Sequence, residues 1–172
     1  FNGITHFFPE NIAINKQVSP IVFTGLRLFN NEVKIGGEDG ILKTHIQSEE
    51  KLVFKYNQNV ISFEFALLNF TKSNKNKYAY KLEGFDENWN YTSTAAAPYT
   101  NLSAGDYILW IKGANNDGIW SEPVSLNIKV LPPLWKTWWA YTIYVLAILG
   151  IVFLLFRFLF LKALFKKEED LH

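Results

Sequence analysis

The chain has 172 residues and a formal net charge of +1, and it contains no cysteine and no methionine. Without cysteine, neither disulfides nor thiolate chemistry can operate in it. Residues 1–136 carry 13 Lys plus Arg against 13 Asp plus Glu. This balance argues against a nucleic-acid surface, which needs clustered positive charge. Because translation starts with methionine, we expect these residues to be a piece of a longer protein.

The first 130 residues alternate apolar and polar side chains with the period of two that is typical of β-strands. The clearest runs are Val60–Leu67 and Val124–Val130. Further predicted strands are 22–29, 41–46, 52–56, 78–82 and 107–111. Turns rich in Gly, Asn and Asp separate these runs, and no segment before residue 134 shows a convincing helical period. We therefore predict an all-β fold, an antiparallel sandwich of the immunoglobulin or fibronectin type III kind over residues 20–131.

Leu102, Gly105 and Tyr107 have the L-x-x-G-x-Y spacing of a tyrosine corner. In that motif a tyrosine near the start of a strand bonds its hydroxyl to the backbone a few residues upstream. The glycine permits the tight turn, and the leucine fills the core below it. The spacing predicts such a bond for Tyr107, the alternative being a chance tyrosine in a strand.

Five aromatic residues of the β region admit two interpretations: Trp89, Tyr91, Tyr99, Trp110 and Trp120. They could line a sugar-binding surface, because flat rings stack on pyranose faces. They could equally be core and corner residues of a sandwich, where aromatic side chains bury the largest area. We favour the core, since most of them fall at strand or motif positions rather than in one cluster.

The sequence offers few candidates for catalysis or metal binding. His6, His45 and His172 have no ligand partner at a metal-like spacing. There is no G-x-S-x-G elbow, and no P-loop lysine follows the glycines near residue 40. We therefore predict no catalytic, metal or cofactor residues, and no enzymatic activity for this stretch by itself.

Residues 137–156 contain no charged side chain, and eleven of the fourteen residues 143–156 are Ile, Leu, Val or Phe. At about 1.5 Å per helical residue, the uncharged segment covers about 30 Å, the thickness of a bilayer's hydrocarbon core. We predict a single transmembrane helix over residues 137–160. The alternative, a buried helix of a soluble protein, rarely runs this long without a charge.

The residues flanking this segment predict its orientation. Trp135, Trp138 and Trp139 form an aromatic belt of the kind found at membrane interfaces. Four basic residues follow on the other side: Arg157, Lys162, Lys166 and Lys167. Because cytoplasmic flanks carry the excess of Lys and Arg, we expect residues 1–136 outside and 157–172 inside.

Three groups of residues resemble a known family: Tyr78, Tyr80, Leu82, Gly84 and Trp89; Leu102, Gly105 and Tyr107; and Gly118 and Trp120. Together they resemble the Y_Y_Y (three-tyrosine) domain, the membrane-proximal module of Bacteroides-type hybrid two-component sensors. Residues 1–11 resemble the last strand of a β-propeller blade, and the run 132–135 is typical of the junction to the membrane. The resemblance covers nearly the whole chain.

The resemblance implies a propeller, a sandwich, a membrane helix and a kinase in one chain. Its parts would be the end of the propeller with a linker (1–19), the sandwich (20–131), a proline-rich junction (132–136), the membrane helix (137–160) and the start of a cytoplasmic linker (161–172). It implies a relay module that dimerises through the sandwich and the helix in the bacterial inner membrane. The upstream propeller would respond to carbohydrate, and a downstream histidine kinase would regulate transcription.

Pro132 and Pro133 give the junction a physical role. Two prolines remove two backbone donors and fix two φ angles, so they stiffen the connection between the last strand and the helix. A stiff connection would pass a displacement of the sandwich to the helix, and a signal through single helices needs at least a pair of chains. A membrane-anchored carbohydrate-binding module and an envelope scaffold remain alternatives.

Overall fold

The computed structural model describes residues 18–69 and 73–169, with side chains as far as Lys162. The chain divides into two compact units, Phe1–Leu131 and Pro132–His172, and each is described by itself. The expectations for the propeller strand at residues 1–11 and for His172 lie outside the described residues.

Nine β-strands build the described part of the first unit. In chain order they are β1 (Ile21–Leu28), β2 (Asn31–Glu32), β3 (Lys51–Phe54), β4 (Val60–Leu67), β5 (Lys77–Glu83), β6 (Asn90–Thr92), β7 (Ala96–Thr100), β8 (Gly105–Ala114) and β9 (Val124–Val130). One sheet has the order β2-β1-β4-β7 and the other β3-β9-β8-β5-β6. Alternate residues of both sheets meet in one core, which confirms the predicted two-sheet sandwich.

The prediction that all strands pair antiparallel is wrong for one pair. β3 runs parallel to β9, with Lys51 opposite Asn127 and Phe54 opposite Val130. The connections explain the direction. The chain must leave β3 at the end of the sandwich where β4 begins in the other sheet, and β9 ends at that same end.

The predicted strand at residues 41–46 is also wrong. These residues form a loop that runs into a 3-10 turn at Ile46–Ser48. Its apolar side chains are nevertheless buried, and the Glu49 carboxylate accepts the N–H groups of Lys43 at 2.8 Å and Thr44 at 2.6 Å. Those bonds, led by the Thr44 N–H, lower the pKa of Glu49. The apolar residues Ile41, Leu42 and Ile46 thus indicate burial against the core and not strand pairing.

A tight hairpin joins β1 to β2 through the two residues Phe29 and Asn30, because Leu28 pairs with Asn31. Both turn residues have positive φ, +50° and +64°, as a type I′ turn requires. Asparagine tolerates this conformation, but a bulky residue there is an outlier that costs about 1–3 kcal/mol.

The second unit begins with a 3-10 turn at Leu134–Lys136 and continues as one helix, α1 (Trp138–Glu169). Its segment Trp138–Lys162 is long and apolar enough to cross a membrane. Every side chain from Tyr141 to Lys162 is exposed, the reverse of a buried helix in a soluble core. The sequence prediction of one apolar helix able to span a membrane is confirmed.

One hydrogen-bonded group joins the two sheets. Tyr99 of β7 donates its hydroxyl to Oδ2 of Asp86 at 2.6 Å, and the same oxygen accepts the N–H of Leu82 of β5 at 2.8 Å. Tyr99 is only 5% exposed. Burial, followed by the hydrogen bond to Asp86, raises the pKa of Tyr99 above its ordinary value. The hydroxyl therefore remains a donor at any pH the cell experiences.

We expect Tyr99→Phe to destabilise the sandwich by about 1.5–3 kcal/mol, the range for a hydrogen bond to a charged group. The ring would keep its edge contacts with Tyr80 and Phe85, so the loss reports the hydroxyl alone. The measurement is the urea unfolding midpoint. Tyr91→Phe, on a side chain that is 67% exposed, is the control. Equal midpoints for the two variants would contradict the inter-sheet role.

Candidate functional site

The tyrosine corner predicted at Tyr107 is present. Its hydroxyl donates to the carbonyl oxygen of Ser103 at 2.9 Å, and Leu102 lies in the core. Gly84 has φ +94°, and a Cβ placed on it would lie 3.1 Å from Cδ1 of Tyr107. Glycine at 84 therefore meets two demands, a left-handed turn and the close approach of the ring. Tyr107, from the second group of motif residues, thus packs against Gly84 of the first group.

The other tyrosines of the motif lie on the inner face of β5. Tyr78 is 9% exposed and its ring lies 5.5 Å from that of Phe65. Tyr80 is half-buried and meets Tyr99 edge to face at 5.8 Å. Leu82 is fully buried. In this structure these residues pack between the two sheets and hold them together.

Three aromatic residues gather on the outer face of the five-stranded sheet around Lys112. The Lys112 ammonium lies 4.3 Å from the ring centroid of Trp89, 5.0 Å from that of Trp120 and 5.9 Å from that of Tyr91. We name these four residues the Lys112 cluster. Ala79, which the register places between Lys112 and Tyr91, is fully buried beneath it.

The expectation that the five aromatic residues belong to the core is therefore correct for Tyr99 and wrong for the others. Leu109 and Ile111 of β8 point inward, so Trp110 and Lys112 must point outward. Trp110 is half-buried there and donates its indole N–H to Glu83 at 3.0 Å. Trp89, Tyr91 and Trp120 come from separate segments, and sequence alone could not show that they meet. Lys112 was missed; its place two residues after Trp110 in an alternating strand was the available signal.

The geometry of the Lys112 cluster does not suit a stacking platform for sugars. The rings of Tyr91 and Trp120 meet at 76° with centroids 5.7 Å apart, so they do not form a coplanar platform, and Trp89 and Trp120 are only partly exposed. The Lys112 ammonium already lies over the two tryptophan rings, and such a cation contributes about 0.5–2 kcal/mol to the packing. The cluster therefore acts as a small outer core that ties β6 and the residues around Trp120 to β8.

The residues predicted at the junction and the interface lie in the second unit. Pro133 has φ −63° and ψ 150°, and its carbonyl accepts the N–H of Lys136 at 2.9 Å. Trp135, Trp138 and Trp139 are all exposed, and the Tyr144 hydroxyl donates to the carbonyl of Trp135 at 3.3 Å. Trp138 and Arg157 are nineteen residues apart on α1, about 28 Å along a helix, which matches a bilayer core.

Comparison with known proteins agrees with this arrangement. Residues 69–131 match the Y_Y_Y domain family. Over 167 residues, 96% of the chain, the sequence is 39% identical to Histidine kinase P4 of Formosa agariphila, and the chain spans 12% of that protein's length.

Solved structures give the same result. Two structures of the extracellular domain of BT4673 from B. thetaiotaomicron, one named as a one component system and one as a hybrid two component system, are 35% and 36% identical with TM-scores of 0.62 and 0.61. They cover 72% and 71% of this chain, which spans 17% of theirs. The extracellular domain of BT3049 from the same organism, 24% identical over 71% of this chain and 17% of its own, shares the fold with a TM-score of 0.57.

Fold and site together define a β-sandwich module followed by a helix able to cross a membrane. The match of residues 69–131 to the Y_Y_Y domain family confirms the resemblance seen in the sequence. The two sheets also include β1 to β4, so the sandwich extends well before the matched residues.

Removing the corner hydroxyl by Tyr107→Phe should lower stability by about 1 kcal/mol, a typical net hydrogen bond, because the Ser103 carbonyl would lose its donor. The measurement is thermal or urea unfolding of Tyr107→Phe, with Tyr91→Phe as the control variant. A midpoint identical to that of the control would show that the corner bond carries no stability.

Proposed function

We propose that this chain is the membrane-proximal relay and dimerisation module, with its transmembrane segment, of a two-component sensor histidine kinase. The kinase would respond to extracellular carbohydrate and regulate transcription. The observation that carries the proposal is the direct succession of a Y_Y_Y sandwich and a membrane-capable helix, with only residues 131–137 between Val130 and Trp138. The relatives support it, since one is named a histidine kinase and another a hybrid two component system.

The orientation we propose places residues 1–136 in the periplasm and 157–172 in the cytoplasm, across the inner membrane. Arg157 and Lys162 follow the apolar stretch of α1 directly, whereas Lys136 is the single basic residue close before it. This asymmetry supports a cytoplasmic C-terminal side by the positive-inside rule. The exposed Trp135, Trp138 and Trp139 would then occupy the periplasmic interface.

The same proposal assigns the parts of the chain. Residues 20–131 are the sandwich, 132–136 the junction, 137–160 the membrane helix and 161–172 the start of a helical cytoplasmic linker. The continuity of α1 to Glu169 supports the last assignment, because a helix without a break can carry a rotation or a shift beyond the membrane. A homodimer would supply the second helix that such a relay needs.

A membrane-anchored carbohydrate-binding module is the competing function. The contacts of the Lys112 cluster count against it, because Lys112 covers the rings of Trp89 and Trp120. The motif residues Tyr78, Tyr80 and Tyr107 are engaged in packing and in the corner bond. We therefore assign carbohydrate recognition to the upstream part of the full-length protein and relay to this part.

Replacing Pro132-Pro133 with Gly-Ser in the full-length sensor should uncouple inducer from output while ligand affinity stays nearly unchanged. The flexible pair would absorb a displacement that two fixed φ angles transmit. A reporter gene together with a binding titration measures both quantities. Pro123→Ser, at an exposed proline outside the junction, is the matched control.

One residue inserted after Pro133 would turn α1 by about 100° relative to the residues before it and should lock the output on or off. A full response of the Gly-Ser variant to inducer would contradict rigid coupling of the sandwich to α1 through the two prolines.

The orientation predicts the pattern of proteolysis in spheroplasts. Externally added protease should digest the sandwich and spare an epitope fused after His172, because the bilayer shields the C-terminal side. Permeabilised cells, in which both sides become accessible, provide the control. Loss of the C-terminal epitope in intact spheroplasts would reverse the proposed orientation.

A further inference from the structure

One end of the sandwich is defined by the exit of the chain toward α1. In the five-stranded sheet, β9 ends at Val130, which pairs with Gly105 at the start of β8 and with Phe54 at the end of β3. The Leu131 N–H then donates to the Phe54 carbonyl at 2.9 Å. The ends of β3 and β9 and the start of β8 therefore lie together, and we name this the exit end.

The four-stranded sheet presents its matching edge at the same place. β4 begins at Val60, which pairs with Thr100 at the end of β7. The short connections 55–59 and 101–104 carry the chain between the two sheets there, and the Asn101 N–H donates to the Asn59 carbonyl at 2.8 Å. The exit end therefore spans the full thickness of the sandwich.

Aromatic side chains protrude from the connections at the exit end. Phe29, whose N–H donates to the Val60 carbonyl, is 48% exposed, Tyr56 is 43% exposed and Phe85 is 52% exposed. Among the described residues of the first unit, only Tyr91 of the Lys112 cluster is a further exposed aromatic. The exposed rings of this unit are thus concentrated where the chain leaves for the membrane.

Phe29 is held in a conformation that its side chain disfavours. It is the first residue of a two-residue turn with φ +50°, a position at which Asn or Gly is preferred. A bulky residue in this region is an outlier, and such outliers are found where function demands them. Here the conformation displays an exposed ring at the tip of a hairpin, which folding of the sandwich does not require.

The length of the connection identifies what these rings meet. Seven Cα steps lead from Leu131 to Trp138, and at about 3.6 Å each they span at most about 25 Å. Trp138 begins the segment able to cross a membrane, so the exit end cannot lie far from the interface that Trp138 occupies. Beside the rings, the connections carry the exposed polar side chains of Asn30 and Asn57 and the exposed charges of Lys55 and Glu87, groups that can bond to lipid headgroups.

We propose that the exit end of the sandwich rests on the headgroup interface of the membrane that α1 crosses, with Phe29, Tyr56 and Phe85 as its contacts. Aromatic rings favour that interface because they combine an apolar body with polar surroundings. The inference rests on the proposed membrane crossing of α1. The sandwich would then be attached to the membrane twice, through the connection to α1 and through these lipid contacts. The lipid contacts would oppose tilting of the sandwich.

These 172 residues contain no cysteine, so a single spin label can be placed at any chosen position among them. The 172-residue chain would be reconstituted in vesicles of phosphatidylethanolamine and phosphatidylglycerol and labelled at Asn57→Cys, beside Tyr56 with all rings intact. Asn74→Cys, exposed in the connection that precedes β5, serves as the label at the opposite end. Leu149→Cys in α1 tests the crossing itself. Collision with oxygen reports lipid, and collision with a nickel chelate reports water.

We expect the label at 57 to favour oxygen over nickel, as the label at 149 does, while the label at 74 favours nickel. Phe29→Asn should abolish most of the oxygen preference at 57 and yet raise the unfolding temperature, because Asn tolerates the positive φ. A merely structural Phe29 would lower that temperature. Val124→Asn, at an exposed apolar residue where β9 begins away from the exit end, should leave the label at 57 unchanged.

Each contrary result has its own reading. Nickel preference at 57 equal to that at 74, with oxygen preference at 149, would overturn the lipid contact and leave the membrane helix standing. Dipolar broadening between labels at 57 without oxygen preference there would assign the exit end to a second copy of the chain instead of lipid. Nickel preference at 149 would refute the membrane crossing and the inference that rests on it.

Discussion

The pairing of β5 with β8 is the constraint on which the rest of the sandwich depends. Its register sets Leu82 opposite Leu109 and Ala79 opposite Lys112. The first pair faces the core and the second faces outward, because strand side chains alternate. A slip of one residue would exchange the two faces. It would bury the Lys112 ammonium and expose the core leucines, so the inner core and the outer cluster specify the same register.

Two further contacts follow from this register and close the sandwich. At one end of β5, Gly84 admits the ring of Tyr107, and Asp86 accepts the hydroxyl of Tyr99 from the other sheet. At the other end, a Cβ on Gly113 of β8 would lie 2.8 Å from Cδ1 of Leu67 of the other sheet, so glycine leaves room for that leucine to pack closely. The family's motif residues are thus mainly a device for fixing two sheets as one body. A body of this kind moves as a unit, which is what a relay requires.

The exit end extends this reasoning to the membrane. Strand β9 is held on both sides, by β8 and by the parallel strand β3, so the last residues before Pro132 belong to the rigid body. A displacement of the sandwich therefore reaches the prolines without being lost in a frayed strand. The exposed Phe29 and Phe85 would hold the same end of the sandwich against the lipid. The proline junction and these lipid contacts together would then determine which motions of the sandwich reach α1.

The sequence by itself determined the elements whose signal is local. Strict alternation located β4 and β9, the spacing of Leu102, Gly105 and Tyr107 located the corner, and the absence of charge located the apolar helix. It failed where partners are distant along the chain. The apolar residues of the segment 41–46 suggested a strand, but Ile41, Leu42 and Ile46 are buried from a loop and a 3-10 turn, because apolar side chains record contact with a core and not strand pairing.

The tertiary structure decided the rest, because direction and contact between distant segments depend on the assembled sheets. The parallel course of β3 follows from where β4 begins. The meeting of Trp89, Tyr91 and Trp120 around Lys112 follows from the side-by-side packing of β6, β5 and β8, which no spacing in the sequence encodes. The gathering of exposed rings at the exit end likewise needs every connection to be placed, since each ring belongs to a different loop.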